Sequence, residues 1–450
     1  MFGSLLEATL LLTVFAFTNA SPVRVRALVT PPTDDPFYTP ESGYEAYPPG
    51  TILATRNPPS LIAALGAIPV PLADAQQILY RSTDSFGNPS ATVATVLTPF
   101  NADESKLLSY QVAQDSAYAN CAPSYALQFA SDSGGLAGTL GTQVEIIAIG
   151  AALSEGWVVT IPDHEGPNAA FLANTGGGQH VLDGIRATLS SGLTTPQAQV
   201  ALWGYSGGSL VSSFAAELAP TYAPELSSNL IGVVLGGAVP NITSSLPLIN
   251  HSLFSGLLPG GIIGLGNEYP EIAALIDANL VPEKAADFNK ARQQCFGANL
   301  IQFLGQDVLN DYFLDGDDFF FENSAVLAVQ EANRLGQRAP QIPVFMYKGV
   351  QDQISAVEDT DQLYDEYCNA GGQVEYIRDV GAEHAALLVT GIPSAIQWIK
   401  GAFRGNLEAG CVKRDVVASL VDAAAQELKD TIRNKLGGFL GMSEWDIMVA

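Results

Sequence analysis

The chain has 450 residues, 47% of them hydrophobic and 15% charged, which is enough for a large core and too apolar for a disordered polymer. Its 46 acidic residues against 20 Lys and Arg give a net charge of −26. That charge excludes a nucleic-acid partner and steering onto anionic membranes, and it suits a soluble exported protein, including one working in acid.

Residues 8–17 are an apolar run followed by Thr18-Asn19-Ala20. This is the pattern of a secretory leader (1–20) cleaved after Ala20, although Glu7 and the lack of Lys or Arg before the run depart from it. No later stretch is apolar enough to cross a bilayer, so no integral membrane segment is expected. In an exported chain, Cys121, Cys295, Cys368 and Cys411 predict two disulfides, and three pairings are open. No C-x-x-C spacing exists, so no metal site is expected. Asn241 and Asn250 head glycosylation sequons.

Residues 21–60 are rich in Pro and Tyr and read as an extended arm, with a pro-segment around Arg24 and Arg26. Two strand-like runs, 77–81 and 92–98, flank the turn Phe86-Gly87-Asn88-Pro89 as a hairpin. Strands at 107–112, 157–161, 200–203 and 231–235 then alternate with helices at 144–155, 178–190 and 207–218. Such alternation means an α/β fold, a mostly parallel sheet with helices on both faces. Between 238 and 342 no strand pattern appears, so 239–341 is expected to be an inserted helical cap on a core of 21–238 and 342–411. Strands at 343–348 and 374–380 and a helix at 392–403 complete the core. Apolar spacing over 414–436 predicts an amphipathic helix within a tail, 412–450.

The pentad Gly204-Tyr205-Ser206-Gly207-Gly208 falls between a predicted strand and a predicted helix. With 43 glycines in the chain, the string alone is a Gly-Ser turn. In its strand–turn–helix context it is a nucleophile elbow. A serine needs an imidazole to take its proton and a carboxylate to orient that imidazole, in the chain order Ser, acid, His. Only His251 and His384 follow Ser206. His251 lies in a sequon within the cap, whereas His384 follows a strand, so His384 is the expected base. Asp352, the first carboxylate past the strand at 343–348, is the expected acid. Glu358, Asp359 and Asp361 read as first-turn helix charges, and Asp379 and Glu383 lie too near His384. For the oxyanion, one backbone N–H comes from Gly207, and the loop after 107–112 offers Asp115 and Ser116. His164 reads as structural, His180 as a packing or surface residue on a helix, and Asp315, Asp317 and Asp318 as solvated turn charges or a rim of the cap.

Several blocks together carry a family resemblance. They are Ser109-Tyr110-Gln111-Val112, Asp115, Cys121-Ala122-Pro123-Ser124-Tyr125, Asp163-His164-Glu165-Gly166, Leu182-Asp183-Gly184-Ile185-Arg186-Ala187, the Ser206 pentad and Glu383-His384. In this order, from about Asp34 to Cys411, the chain resembles the fungal secretory lipases of the Candida antarctica lipase A type. The resemblance implies an α/β-hydrolase core with a helical lid and a triad of Ser206, Asp352 and His384. It also implies oxyanion donors at Asp115 and Gly207, and disulfides Cys121–Cys295 and Cys368–Cys411. The expected protein is a secreted, monomeric serine hydrolase that needs no cofactor. It would cleave carboxylic esters, foremost triacylglycerols, in transient contact with a lipid–water interface. An esterase for small metabolite esters and a non-catalytic binding protein are the alternatives.

Overall fold

The computed structural model describes residues 29–66, 68–131 and 138–416. The expected leader, the pro-segment and residues 417–436 of the expected terminal helix lie outside them.

Ten strands form one sheet. They are β1 (Ile52–Arg56), β2 (Asp74–Thr83), β3 (Pro89–Thr98), β4 (Asp103–Gln111), β5 (Trp157–Pro162), β6 (Gln199–Tyr205), β7 (Leu230–Gly236), β8 (Val344–Gly349), β9 (Val374–Asp379) and β10 (Cys411–Val416). Their spatial order is β1-β2-β3-β5-β4-β6-β7-β8-β9-β10. The first three pair antiparallel, as does β3 with β5, and from β5 to β10 every pair is parallel. Because β4 lies between β5 and β6, the chain winds in opposite directions on its two sides. That switch point opens a crevice at the carboxyl ends of β4 and β6, where ligands bind in sheets of this kind.

Alternation along each strand fills both faces. On β6, Val200 and Leu202 join one core with Val181, Leu182 and Ile185 of α2 (Asn174–Ser190) and Leu210, Val211 and Phe214 of α3 (Gly207–Tyr222). Ala201 and Trp203 face the other core, with Ile149 and Leu153 of α1 (Ile146–Ser154) and Ile396 and Ile399 of the helix Ile392–Phe403. The sheet is thus apolar on both faces, as a parallel sheet covered by crossover helices must be.

Between β7 and β8 the chain is helical, apart from one isolated bridge between Leu280 and Phe313. Asn241 caps the first of these helices, Ile242–Ile249, by accepting Thr243 N–H at 3.0 Å. Pro270 and Pro282 open two more at their first turns, where the missing N–H costs nothing.

Three expectations are corrected. The arm before residue 60 contributes a strand, β1, to the sheet edge. The helix expected over 144–155 divides at Glu145 into Leu140–Val144 and α1, because the Glu145 carboxylate is drawn inward to Tyr110 and Ala113. The expected terminal helix does not begin at Arg414: residues Arg414–Val416 belong to β10, paired parallel with β9 from Val374↔Cys411 to Asp379↔Val416. The consecutive charged residues Lys413, Arg414 and Asp415 suit an edge strand, which they protect from further pairing.

Cys368–Cys411 ties β10 to the helix Val357–Asn369, and Cys121–Cys295 ties the loop beyond β4 to the cap. The first bond closes a loop of 43 residues, worth about 4 kcal/mol of unfolded-chain entropy. It lies four strand spacings from β6, about 19 Å. Cys368→Ala/Cys411→Ala is therefore expected to lower the thermal midpoint by several degrees while leaving the activity expected at Ser206 within a factor of two at 25 °C. Calorimetry beside an activity assay checks both.

Candidate active site

Ser206 sits between β6 and α3 with φ 51°, a left-handed conformation that costs a residue with a Cβ about 1–2 kcal/mol. The neighbouring glycines make the turn possible. A Cβ on Gly204 would run into the Gly208 carbonyl, and one on Gly208 would run into the Gln111 carbonyl of β4. Ser206 N–H donates to Gly236 O at 2.9 Å, which pins the turn to β7.

His384 begins a helix after β9, and Asp352 lies on the loop after β8. The fold brings both to Ser206. His384 Nδ1 lies 2.6 Å from Asp352 Oδ2, and Nε2 lies 2.9 Å from Ser206 Oγ. The carboxylate holds the imidazole proton on Nδ1 and leaves Nε2 free to accept from the serine. Asp352 Oδ1 accepts the N–H groups of Ile354 at 2.8 Å and Ser355 at 3.0 Å. Burial pushes the Asp352 carboxyl upward, but His384 and Lys348 outweigh burial and hold it well below the usual carboxylate range. His251, the other histidine after Ser206, is exposed and pairs with Asp307 at 2.9 Å.

Asp115, also left-handed at φ 48°, stands opposite. Its Oδ1 lies so close to Gly207 that a Cβ there would overlap it. Gly207 is the first residue of α3, where the backbone N–H has no partner within the helix. Asp115, Ser206 and Gly207 line one cleft together, whereas Ser116 turns its Oγ to Gln294 O at 2.9 Å. The cleft encloses about 800 Å³ of empty space, partly open to solvent, and the cap supplies most of its wall. Leu246, Ile249, Leu258, Ile262, Ile276 and Phe320 are among the apolar residues that face it.

The comparisons with known proteins agree with this geometry. Residues 127–410 match the model of the secretory lipase family. Lipase A of Arthroderma benhamiae is 46% identical over 417 residues, covering 91% of this chain and 88% of that protein. Lipase 4 of Candida albicans is 40% identical, covering 86% and 85%. The crystal structure of Candida antarctica lipase A superposes with a TM-score of 0.79 at 27% identity, covering 92% of this chain and 96% of that one. The chain belongs to the secretory lipase family. It is a carboxylic ester hydrolase with the α/β-hydrolase fold.

Two residues that support the site in this lipase escaped the sequence reading. Glu145 accepts Ala113 N–H at 2.7 Å and Tyr110 OH at 2.8 Å, clamping the start of the loop that carries Asp115. Lys348 places Nζ 2.8 Å from Asp352 Oδ2. The partners of Glu145 lie more than thirty residues away in sequence, and Lys348, although four residues before Asp352, has the place of a solvated lysine at a strand end. His164 Nε2 bonds Val112 O at 2.8 Å, and His180, expected to be packing or surface, is buried with its Nδ1 bonded to His164 O at 2.8 Å. Of the sequons, Asn250 has both ends of its amide engaged, donating to Asp307 Oδ1 at 2.7 Å and accepting Val308 N–H at 2.8 Å. Asp315 accepts from the Asn279 amide at 2.5 Å, and no metal-binding cluster occurs among the described residues.

Gly207→Ala should push Asp115 aside and spoil one wall of the oxyanion site. The expected result is a fall in kcat of about 100-fold with KM little changed, the scale of losing one oxyanion donor, measured on a soluble ester.

Several carboxyls in this lipase are buried, and of Asp115, Asp163, Glu145 and Glu217 only the last has a cation, Arg338, nearby. Burial pushes Asp115 and Asp163 up to about 7, Glu145 to about 8 and, near the root of the cap, Glu217 to about 7. A carboxyl raised in this way binds its proton more tightly folded than unfolded. Its stabilisation is complete below the ordinary carboxylate range and is lost as pH rises through the folded value. Burial lowers His164 to about 4 and pushes Lys348 below its ordinary value, which acts in the opposite sense as pH falls, but Glu165 and Asp183 join the raised carboxyls and outnumber them. The thermal midpoint is therefore expected to rise as pH is lowered from about 8 to about 5. A scan of Tm against pH that stays flat or slopes the other way contradicts this.

Proposed function

We propose that the chain is a secreted triacylglycerol lipase in which Ser206 is the nucleophile, His384 the general base and Asp352 the acid that orients it. The observation that carries the reading is the continuous relay from Asp352 Oδ2 through His384 to Ser206 Oγ, at 2.6 Å and 2.9 Å, opening into an apolar cleft. Ser206 Oγ attacks the ester carbonyl carbon as its proton passes to His384 Nε2. The resulting oxyanion is held by the N–H groups of Gly207 and Asp115. Collapse breaks the ester C–O bond, and His384 returns the proton to the departing alcohol. Water then gives a proton to His384 and attacks the acyl carbonyl, and collapse breaks the bond to Ser206 Oγ, which takes that proton back from His384 as the fatty acid leaves.

The cleft favours a long acyl chain over a small polar metabolite. Each methylene it takes from water is worth about 0.8 kcal/mol, and its walls offer few groups to hydrogen-bond a polar substrate. Work outside the cell is supported by family membership and by two disulfides. Contact with a lipid–water interface and action as a monomer are part of the same proposal.

Ser206→Ala should abolish hydrolysis and labelling by an alkyl phosphonate. Asp352→Asn, which stabilises the wrong imidazole tautomer, should lower kcat by about 10⁴. Activity on long-chain triglyceride should rise when the lipid forms an emulsion. Rapid cleavage of soluble short esters with no such rise would select the small-ester esterase, and the lack of any Ser206 adduct would select the non-catalytic binding protein.

A further inference from the structure

Lys348 is the next-to-last residue of β8, and its side chain is 0% exposed, as is that of Asp352. A buried ammonium is expensive unless its hydrogen bonds are made. Here Nζ donates to Asp352 Oδ2 at 2.8 Å and to the carbonyl of Ala238 at 2.8 Å. Asp352 Oδ2 is also the atom that receives His384 Nδ1–H. Ala238 lies just past β7, three residues before the Asn241 cap of the first cap helix.

We propose that Lys348 is a positioning residue that acts through Asp352, lowering the pH at which the base of the relay takes up its resting proton and bracing the acid loop against the root of the cap. The proposal rests on the triad reading above. A carboxylate alone beside the imidazole, in dry surroundings, favours imidazolium and so holds the base protonated to higher pH. With the ammonium on the same oxygen, acid and lysine sum to zero, and the imidazolium gains less. The base then stays free in more acidic solution. The same compensation weakens the pull on the imidazolium that forms during reaction, so the arrangement exchanges some rate on the plateau for activity in acid.

Other charged or titratable groups face this cluster. Asp359 approaches Lys348 from the helix Val357–Asn369. Tyr205 on β6 donates its hydroxyl to His384 O at 2.5 Å and lies near Asp352. Tyr347 on β8 packs against Tyr205. Asp115 stands across Ser206, Asp379 ends β9, and Glu383 is the residue just before the helix that begins at His384. Lys348 is the cation in direct contact with the acid.

The test compares wild type, Lys348→Gln and Lys348→Met across pH, using kcat/KM on a soluble p-nitrophenyl ester and the rate of phosphonate labelling. Gln can keep hydrogen bonds to Asp352 and Ala238 without the charge; Met keeps neither. The acid limb should move upward by about two pH units in both variants, the effect of a unit charge about 5 Å from the base at an effective dielectric near 20. A purely structural lysine would lower the plateau and leave the limb where it is, and a folded Lys348→Gln enzyme with an unmoved limb overturns the proposal. If neither variant folds, Lys348→Arg decides. It keeps the cation while changing its shape, so the limb should stay where wild type has it even if the plateau falls, and a limb that moves upward overturns the proposal. Wild type that fails to label at Ser206 overturns the triad reading itself, whereas labelled wild type beside an unmoved Lys348→Gln limb removes this proposal alone.

Discussion

The site depends on how closely the turn after β6 approaches the end of β4. Gly208 lies against the Gln111 carbonyl and Gly204 against the Gly208 carbonyl, with no room for a side chain at either place. That approach lets α3 start immediately after Ser206 and forces the serine to a positive φ. The register Gln111↔Gly204 between β4 and β6 fixes which residues meet there. Asp115, itself at a positive φ, falls beside Gly207. The strain at Ser206 is sustained because its own N–H is bound to β7 and its carbonyl already accepts Ser209 N–H within the new helix. Neither strand alone specifies the nucleophile's direction; the parallel pairing of three strands does.

Around that turn the protein uses buried charge sparingly and with a purpose. On the oxyanion side, Glu145 and His164 hold the chain beyond β4 through Ala113 N–H and Val112 O, leaving Asp115 to point at Gly207. On the acid side, Lys348 and two backbone amides hold Asp352. The two sides differ in electrostatic kind. The oxyanion side carries acids that burial favours in their neutral form, with no buried cation to ionise them. The acid side carries a carboxylate that a buried cation keeps ionised. Separating carboxyls in this way gives one sheet edge both a neutral wall and a fixed negative charge.

What the sequence disclosed follows from how local each constraint is. The strand–turn–helix around Ser206 was legible because its glycines are demanded by the turn itself. His384 and Asp352 were legible because the order of the relay and the scarcity of histidines left few choices, and the structure brings both to the serine. The helix at 392–403 was read with its observed ends, since Gly391 and Pro393 mark its start. By contrast, β1 and β10 are edge strands. Pro-rich flanks disguised the first, and the second carries consecutive charges that find their partners only in the sheet, as Arg414 finds Glu375 and Arg378 finds Asp415. Lys348 was invisible for a similar reason. A lysine near a strand end reads as solvated, and its burial follows from the cap that leaves the sheet at Ala238.

That cap is where packing and function compete most directly. Its helices bury Ile276, Leu246 and Phe320 against one another and against the core, yet the same residues also border the cleft. A cap that closed its apolar faces completely would gain dispersion contacts and burial and would leave no room for an acyl chain. Keeping the space open forgoes that packing, and the cap makes up the difference at its attachments. Cys295 is bonded to Cys121 beside the oxyanion loop, and the cap root at Ala238 is held by Lys348. Both anchors run to elements that carry site residues. The wall that selects the acyl chain and the groups proposed to act on its ester are therefore positioned by the same bonds, so a change that loosens the cap at either anchor also disturbs the geometry at Ser206.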